Sequence, residues 1–313
     1  MESKIVISDC DHDSVEIERE VLAREGLGLD WRKCVSEDEV ISGCADASAL
    51  LVQYARMTGR VMRALPKLRQ IVRYGVGFDT VDVDSARELG ITVCNVPDYG
   101  MNEVADHAMA LTLCLARRLA EAAARVRAGS WNYLDVAPVA RISGLTVGIV
   151  GLGQIGRQYA RRMEAFGPRI LASDPRDIAA PDYVTMTGLD DLLRASDIIS
   201  VHCPAGGNIG LIGEREFALM KQGAILVNTA RGGIVDEAAL DGALASGKLA
   251  GCGLDVAARE PLLKDNPLFR HQNLIVSPHM AWYSQESARE LKRKVAEEAS
   301  RFARGEPVRY RVV

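Results

Sequence analysis

Short apolar runs alternate with helical patterns along most of the chain, and this alternation restricts the fold more than any other feature. Parallel strands need crossover connections, which are usually helices, so the alternation predicts parallel sheets covered on both faces. The runs interpreted as strands are 4–8, 48–53, 68–72, 91–95, 145–150, 169–174, 197–203, 224–230, 252–256 and 273–278. Helices are predicted over 14–24, 102–128 and 284–304. The sequence therefore predicts an α/β fold with doubly wound parallel sheets.

The length of 313 residues fits about two domains. No Gly/Ser-rich linker, internal repeat or low-complexity segment divides the chain, so a domain boundary must run through helical segments. We place the boundaries near residues 100 and 284, which returns the last helix to the first domain. The predicted domains are therefore 1–100 with 285–313, and 101–284.

Composition and charge exclude several classes of function. The formal net charge is −4 and the basic residues are scattered, so no basic patch predicts nucleic-acid binding. No apolar run reaches the ~18 residues of a membrane-spanning helix, and the N-terminus turns acidic where a signal peptide would be apolar. The seven cysteines are an odd number, and none lies at metal-site or C-x-x-C spacing. We therefore expect a reduced, cytoplasmic protein with no metal site and no nucleic-acid or membrane partner.

A glycine-rich turn follows the predicted strand 145–150 and opens a predicted helix. It consists of Gly151, Leu152, Gly153, Gln154, Ile155 and Gly156. In this context the three glycines are typical of a dinucleotide site, because they permit a tight turn, close approach of a pyrophosphate and tight helix–strand packing. Asp174 ends the next strand and would bind ribose hydroxyls, which favours NAD over NADP, although Arg176 could weaken that preference. The alternative is a turn that binds no ligand.

Three side chains of complementary chemistry follow three different predicted strands. Arg231 follows the strand 224–230, Glu260 lies just beyond the next strand, and His279 follows the last. Carboxyl ends of parallel strands share one edge, where ligands of such sheets bind. Arg can bind a carboxylate through two hydrogen bonds, His can donate a proton near neutral pH, and Glu can orient the ring. Each residue alone could be structural or solvated; their joint placement predicts Arg231, Glu260 and His279 as catalytic residues.

The motifs that carry these residues resemble those of the D-isomer-specific 2-hydroxyacid dehydrogenases, and the resemblance covers nearly the whole chain. The matching segments are YGVGFDTVD (74–82), NVPDYGMNEVADHAMAL (95–111), GLTVGIVGLGQIGR (144–157), VNTARGGIVDEAAL (227–240), GLDVAAREP (253–261) and SPHMAWYS (277–284). Within the family the chain is most similar to the subgroup that includes the C-terminal-binding-protein corepressors, through RYGVGFD, ITVCNVP and Trp282.

The resemblance implies a Rossmann-type cofactor domain, a flavodoxin-like substrate domain and an active site in a cleft between them. It implies that Arg73, Gly75, Val76, Gly77 and Trp282 contact substrate. It also implies that His202, Cys203, Pro204, Thr229, Ala230 and Asp255 contact the cofactor. The loop 204–210 departs from the family because it lacks the usual threonines.

The expected function is NAD-dependent hydride transfer between NADH and a small 2-keto acid, which gives the D-2-hydroxy acid. One alternative is an NAD(H)-sensing, corepressor-like binding protein, and another is a dehydrogenase of formate or phosphite. The pair Glu260 and His279 argues against formate, whose oxidation needs no proton donor. We also expect a homodimer formed through the cofactor domains, because the segment 102–128 has more apolar residues than one buried face needs.

Overall fold

The computed structural model describes residues 4–313 and divides them into two compact units. One unit is the chain up to Gly100 together with Ser284–Val313, and the other is Met101–Tyr283. Each unit has its own parallel sheet with helices packed on it, which confirms the predicted fold class.

The first unit contains a sheet of five parallel strands in the order β2-β1-β3-β4-β5. The strands are β1 (Ile5–Asp9), β2 (Leu29–Trp31), β3 (Ala49–Val52), β4 (Gln70–Arg73) and β5 (Thr92–Cys94). The helices are α1 (Glu16–Ala23), α2 (Glu37–Gly43), α3 (Gly59–Ala64), α4 (Val83–Glu88) and the C-terminal helix Gln285–Ala303. This order is flavodoxin-like, and the fully buried strands β1 and β3 lie at its centre, of which β3 is entirely apolar.

The second unit contains seven parallel strands in the order β12-β11-β10-β9-β6-β7-β8. Its strands are β6 (Thr146–Val150), β7 (Arg169–Ser173), β8 (Val184–Met186), β9 (Ile198–Val201), β10 (Ala224–Asn228), β11 (Leu249–Leu254) and β12 (Leu274–Val276). Its helices are α5 (Met101–Ala116), α6 (Leu119–Arg127), α7 (Gln154–Glu164), α8 (Leu189–Ala195), α9 (Glu214–Leu219) and α10 (Glu237–Ala245). The order reverses between β6 and β9, and ligands of doubly wound sheets bind at the carboxyl ends beside such a reversal.

The predicted single helix over 102–128 is wrong, because α5 and α6 are separate helices. Arg118 lies between them with φ of 51°, a left-handed conformation that ends the helical hydrogen-bond ladder without Gly or Pro. Helix α5 packs on β11, where a Cβ added to Gly253 would lie 3.1 Å from Leu111 Cβ. The apolar face of α5 is therefore used within its own unit, whereas α6 has no buried residue.

Two strands, β2 and β8, were not predicted. Each has three residues, lies at the edge of its sheet and has a polar middle residue, Asp30 or Thr185, so neither forms a continuous apolar run. Within residues 4–313, no helix combines the length and apolarity needed to cross a membrane. Over the same residues, no group of three or more His, Cys, Asp or Glu side chains is arranged to hold a metal ion.

Candidate active site

The glycine-rich turn lies at the carboxyl end of β6, beside the end of β9. Gly151 has φ of +93°, and a Cβ added to it would lie 2.7 Å from the Cys203 amide nitrogen. A Cβ on Gly156 would lie 2.1 Å from the Gly151 carbonyl oxygen. Any side chain at either position would collide with backbone, so only glycine allows β6, α7 and β9 to approach this closely.

Helix α7 presents its N-terminus at this turn. Gly153 precedes its first residue, and a Cβ added to Gly153 would have no neighbour nearer than 3.8 Å, so space remains above the turn. The amides of Gln154 and Ile155 lie in the first turn, where backbone N–H groups have no acceptor within the helix. These amides and the helix dipole form a site suited to an anionic group such as a pyrophosphate.

Asp174 follows β7, and both of its carboxylate oxygens accept hydrogen bonds. Oδ2 accepts hydrogen bonds from the Leu152 amide at 3.0 Å and from Arg176 Nη2 at 2.8 Å, and Oδ1 accepts from Arg176 Nε at 2.9 Å. The hydrogen bonds from Arg176 lower the pKa of Asp174 to about 2, although burial opposes them. Asp174 is therefore a carboxylate at neutral pH, and the exposed Arg176 covers it.

Two buried polar atoms at the ends of β9 and β10 have no hydrogen-bond partner within residues 4–313. These atoms are His202 Nδ1 and Thr229 Oγ1. The other ring nitrogen of His202 lies 2.8 Å from Ser200 Oγ, and burial lowers the pKa of His202 to about 3, so the ring is neutral. Orphaned polar groups of this kind are rare in native proteins and point to a missing partner at this edge. Together with the glycine turn, they fit a bound dinucleotide.

The residues after His202 continue along the same edge. Burial raises the pKa of the Cys203 thiol to about 11, so it is not a thiolate at neutral pH. The Pro204 carbonyl accepts a hydrogen bond from Asn208 Nδ2 at 2.8 Å, which closes the loop 204–210 on itself.

Arg231 follows the end of β10, in a turn organised by Asn228. The buried Asn228 side chain donates to the Arg231 carbonyl at 2.8 Å and accepts from the Ala230 amide at 3.0 Å. A Cβ added to Gly232 would lie only 1.8 Å from the carbonyl carbon of Ala257. The turn that carries Arg231 therefore packs directly against the backbone of the loop that carries Glu260. Asn228 was not predicted as a site residue, although an Asn before a turn is a recognisable signal.

Glu260 and His279 are brought together. His279 Nδ1 lies 2.6 Å from Glu260 Oε2, and Glu260 Oε1 accepts from the Ala257 amide at 2.9 Å. Burial alone would raise the pKa of Glu260, but the hydrogen bonds from His279 and Ala257 and the charge of Arg231 lower it. Glu260 is therefore ionised at neutral pH and can only accept, so the Nδ1 of His279 carries the proton of this bond.

The loop that carries His279 is fixed by Asp255. His279 has φ of 51°, which is uncommon for a residue other than glycine. Its amide donates to the Asp255 carbonyl at 2.8 Å, and the next two amides, of Met280 and Ala281, donate to the Asp255 carboxylate at 3.0 and 2.8 Å. Asp255 is only 1% exposed, so its buried carboxylate anchors the loop.

The remaining predicted substrate residues lie on two other segments. In the first unit, Gly75 follows β4 with φ of +127°, and a Cβ added to it would lie 1.8 Å from Arg73 Nη1. The Gly75 and Val76 carbonyls accept hydrogen bonds from the Val96 amide and the Asn95 side chain, which fixes the turn up to Gly77. In the second unit, Trp282 lies three residues after His279, and its ring packs edge-on against Tyr283 at 5.5 Å.

Comparison with known proteins gives consistent matches. Residues 109–281 match the family described as "D-isomer specific 2-hydroxyacid dehydrogenase, NAD binding domain". Glycerate dehydrogenase of Methylorubrum extorquens is 37% identical over 281 residues, which are 86% of this chain and 87% of that protein. The structure of D-lactate dehydrogenase from Aquifex aeolicus with NAD and lactic acid superposes with a TM-score of 0.87, at 29% identity, over 97% of this chain and 96% of that one.

Some relatives are much longer than this chain. D-3-phosphoglycerate dehydrogenase of Archaeoglobus fulgidus is 37% identical over 293 residues, which are 92% of this chain but only 55% of that protein. The chain thus spans about half the length of the phosphoglycerate dehydrogenases that it matches.

The contact at Gly232 generates a test of the site. Gly232→Ala should displace the loop 257–260, and a displacement of about 1 Å should lower kcat/KM roughly 100-fold. Gly242→Ala is the control, because an added Cβ there meets no atom within 4 Å and the site lies within helix α10. That variant should keep full activity and gain up to about 1 kcal/mol in the free energy of unfolding. Equal activity of the two variants would contradict the proposed contact between the loops.

The pair formed by Asp174 and Arg176 generates a test of cofactor preference. The wild type should bind NADH more tightly than NADPH, because the ionised Asp174 repels a 2′-phosphate. Arg176→Ala removes the nearby cation and should increase that preference, whereas Asp174→Ser should lower NADH affinity about 10- to 100-fold, the worth of hydrogen bonds to a charged group. Titration of intrinsic fluorescence with each cofactor measures this, and equal affinities in the wild type would refute the role of Asp174.

Proposed function

This chain belongs to the family of D-isomer-specific 2-hydroxyacid dehydrogenases, and we propose that it transfers a hydride between NADH and a small 2-keto acid to give the D-2-hydroxy acid. The observation that carries the proposal is the hydrogen bond of 2.6 Å between His279 and Glu260, at the sheet edge that also holds the turn of Arg231. A proton donor, its orienting carboxylate and a guanidinium are the groups that reduction of a keto acid requires from the protein.

In this proposal each of the three residues has a distinct role. Bound NADH supplies the hydride. Arg231 binds the substrate carboxylate and polarises the carbonyl, because its planar guanidinium offers paired donors. Since Nδ1 of His279 donates to Glu260, its Nε2 is the nitrogen left to give a proton to the new alkoxide. Glu260 holds the ring orientation and favours the protonated ring.

The cofactor and substrate contacts complete the proposal. The glycine turn and the N-terminus of α7 would hold the pyrophosphate, and Asp174 would bind the adenosine ribose. The sheet edge from His202 to Pro204 would contact the rest of the cofactor. Thr229, Ala230 and Asp255 would lie at its nicotinamide end. Arg73, the backbone of residues 75–77 and Trp282 would contact the substrate.

The substrate is best found with a panel. Oxidation of NADH should be measured with glyoxylate, hydroxypyruvate, 3-phosphohydroxypyruvate, pyruvate and bulkier keto acids, and reduction of NAD with formate and phosphite. The proposal expects turnover of at least one 2-keto acid. Tight NADH binding without turnover of any of them would instead support an NAD(H)-sensing protein, and turnover of only phosphite or formate would assign a different reaction.

The Glu260–His279 pair predicts a specific dependence on pH. Reduction needs a protonated imidazole, so the rate should fall as pH rises through the titration of His279. Because the pKa of Glu260 is below its usual value, its charge persists throughout the neutral range. Glu260→Gln removes this charge and should move the falling limb to lower pH, while His279→Ala should lower kcat by roughly 10²–10⁴. A pH–rate series on the three proteins measures this; an unshifted limb in Glu260→Gln would refute the pairing.

We also propose that the protein is a homodimer in a reducing, cytoplasmic compartment. All seven cysteines are free thiols, which supports the compartment. The dimer is supported by a run of exposed apolar side chains in and after α6, of which Trp131 is 89%, Tyr133 80% and Leu134 61% exposed. Helix α6 and this segment, rather than α5, are our candidate interface, because exposed apolar clusters mark association sites.

The proposed interface predicts which substitutions separate the subunits. Trp131→Asp and Leu134→Asp should each weaken the dimer at least roughly 30-fold, as expected for a central apolar contact. Val35→Asp is the control, because Val35 is equally exposed at 89% but belongs to the first unit and not to the segment around α6. Light scattering across a concentration series measures the mass. A monomeric wild type at micromolar concentration, or a Val35→Asp variant as monomeric as the other two, would contradict the proposal.

A further inference from the structure

We propose that His107 and Ser277 are positioning residues, which hold the buried Asp255 carboxylate and through it the loop that carries His279. This inference rests on the proposed function, because it assigns residues that support that site. His107 belongs to α5, and Ser277 follows β12, so two elements far apart in sequence meet behind the candidate active site. Neither residue has a role in the chemistry described above.

The three residues form a continuous chain of hydrogen bonds. His107 Nε2 lies 2.7 Å from Ser277 Oγ, and Ser277 Oγ lies 2.6 Å from Asp255 Oδ1. His107 Nε2 is also 3.6 Å from the same carboxylate oxygen. Asp255 is 1% exposed, and the His107 side chain is 22% exposed, so this chain is largely shielded from water. Hydrogen bonds of this kind to a buried carboxylate are stronger than those between neutral groups.

The number of protons fixes the direction of each bond. Asp255 has no proton when ionised, so the single hydroxyl proton of Ser277 is donated to Asp255 Oδ1. The same hydroxyl must then accept from His107, which requires a proton on Nε2. His107 is therefore assigned as the donor at the start of the chain, and a side chain that cannot donate from this position would break it.

The hydrogen bonds that Asp255 accepts show what the hydrogen-bond chain from His107 through Ser277 holds in place. Oδ1 accepts from Ser277 and from the Met280 amide, which uses both of its lone pairs, whereas Oδ2 accepts, among residues 4–313, only from the Ala281 amide. One acceptor position on Oδ2 therefore remains for a donor on a bound ligand. If the carboxylate rotated, this position would move, and so would the two amides that follow His279. His107 and Ser277 thus position both a cofactor contact and the proton donor.

Two substitutions at His107 distinguish this role from simple packing. Glutamine can place an N–H donor near the position of Nε2, whereas leucine fills similar volume without a donor. We expect His107→Leu to raise the Kd for NADH about 10-fold and to lower kcat about 10-fold, with His107→Gln within about 3-fold of the wild type for both. His271→Gln is the control, because His271 makes a similar bond of 2.7 Å to Asp241 in the same unit. It should leave both quantities unchanged.

A substitution at Ser277 tests whether the effect of His107 on Asp255 depends on the proposed chain of hydrogen bonds. Ser277→Ala should resemble His107→Leu, and the double variant should be no worse than either single variant, because both break the same chain. NADH affinity is measured by fluorescence titration, and thermal denaturation shows whether each variant is folded. Should His107→Leu fail to fold, Ser277→Ala alone still tests the proposal.

Three results would overturn the inference. The first is equal NADH affinity for His107→Gln and His107→Leu, and the second is a higher NADH affinity or kcat for His107→Leu than for His107→Gln. The third is that the losses of NADH affinity in the two single variants add up in the double variant. Failure of the proposed function is distinguishable, because it would appear as a wild type that binds NADH without reducing any keto acid. The binding comparison among the variants would still decide the role of His107.

Discussion

The backbone of Gly232 lies directly against the peptide group that follows Ala257, and the candidate site depends on this contact. The turn after β10 carries Arg231, and the loop after β11 carries Glu260. A Cβ at position 232 would overlap the Ala257 carbonyl, so the two segments can meet only because this residue is glycine. The loop is then closed by two further bonds, from the Ala257 amide to Glu260 and from the Ala258 amide to Glu237 of α10. The glycine therefore lets the turn of Arg231 and the loop of Glu260 lie side by side.

Three carboxylates lie at the same sheet edge, and each has different neighbours and a different exposure to solvent. Asp174 is held by Arg176 and by backbone amides, which keep its pKa near 2 and its charge fixed. Asp255 is buried and accepts from amides and a hydroxyl, so it organises a loop. Glu260 is 38% exposed and faces a histidine that is 40% exposed, so this pair is the most accessible part of the edge. The same chemical group thus has three proposed roles, as a cofactor contact, an anchor and an orienting partner.

Much of this arrangement could be predicted from the sequence, because it follows from local patterns. The central strands are continuous apolar runs, and the glycine turn and the three residues at strand ends lie at fixed offsets from them. The edge strands β2 and β8 were missed because a polar residue, Asp30 or Thr185, interrupts each short run. The break at Arg118 was missed because no Gly or Pro marks it. The covering of Asp174 by Arg176 and the bonding of His107 to Ser277 depend on side-chain geometry, which no spacing in the sequence reveals.

The central claim is that the Glu260 carboxylate is coupled to the His279 ring, and the titration of that ring tests it most directly. The imidazole nitrogens can be followed by nuclear magnetic resonance in protein labelled with ¹⁵N-histidine, with the His279 signals assigned by their loss in His279→Ala. The account predicts that the proton on Nδ1 remains throughout the neutral range and that the ring titrates at higher pH in the wild type than in Glu260→Gln. Identical titration curves for His279 in the two proteins would contradict it.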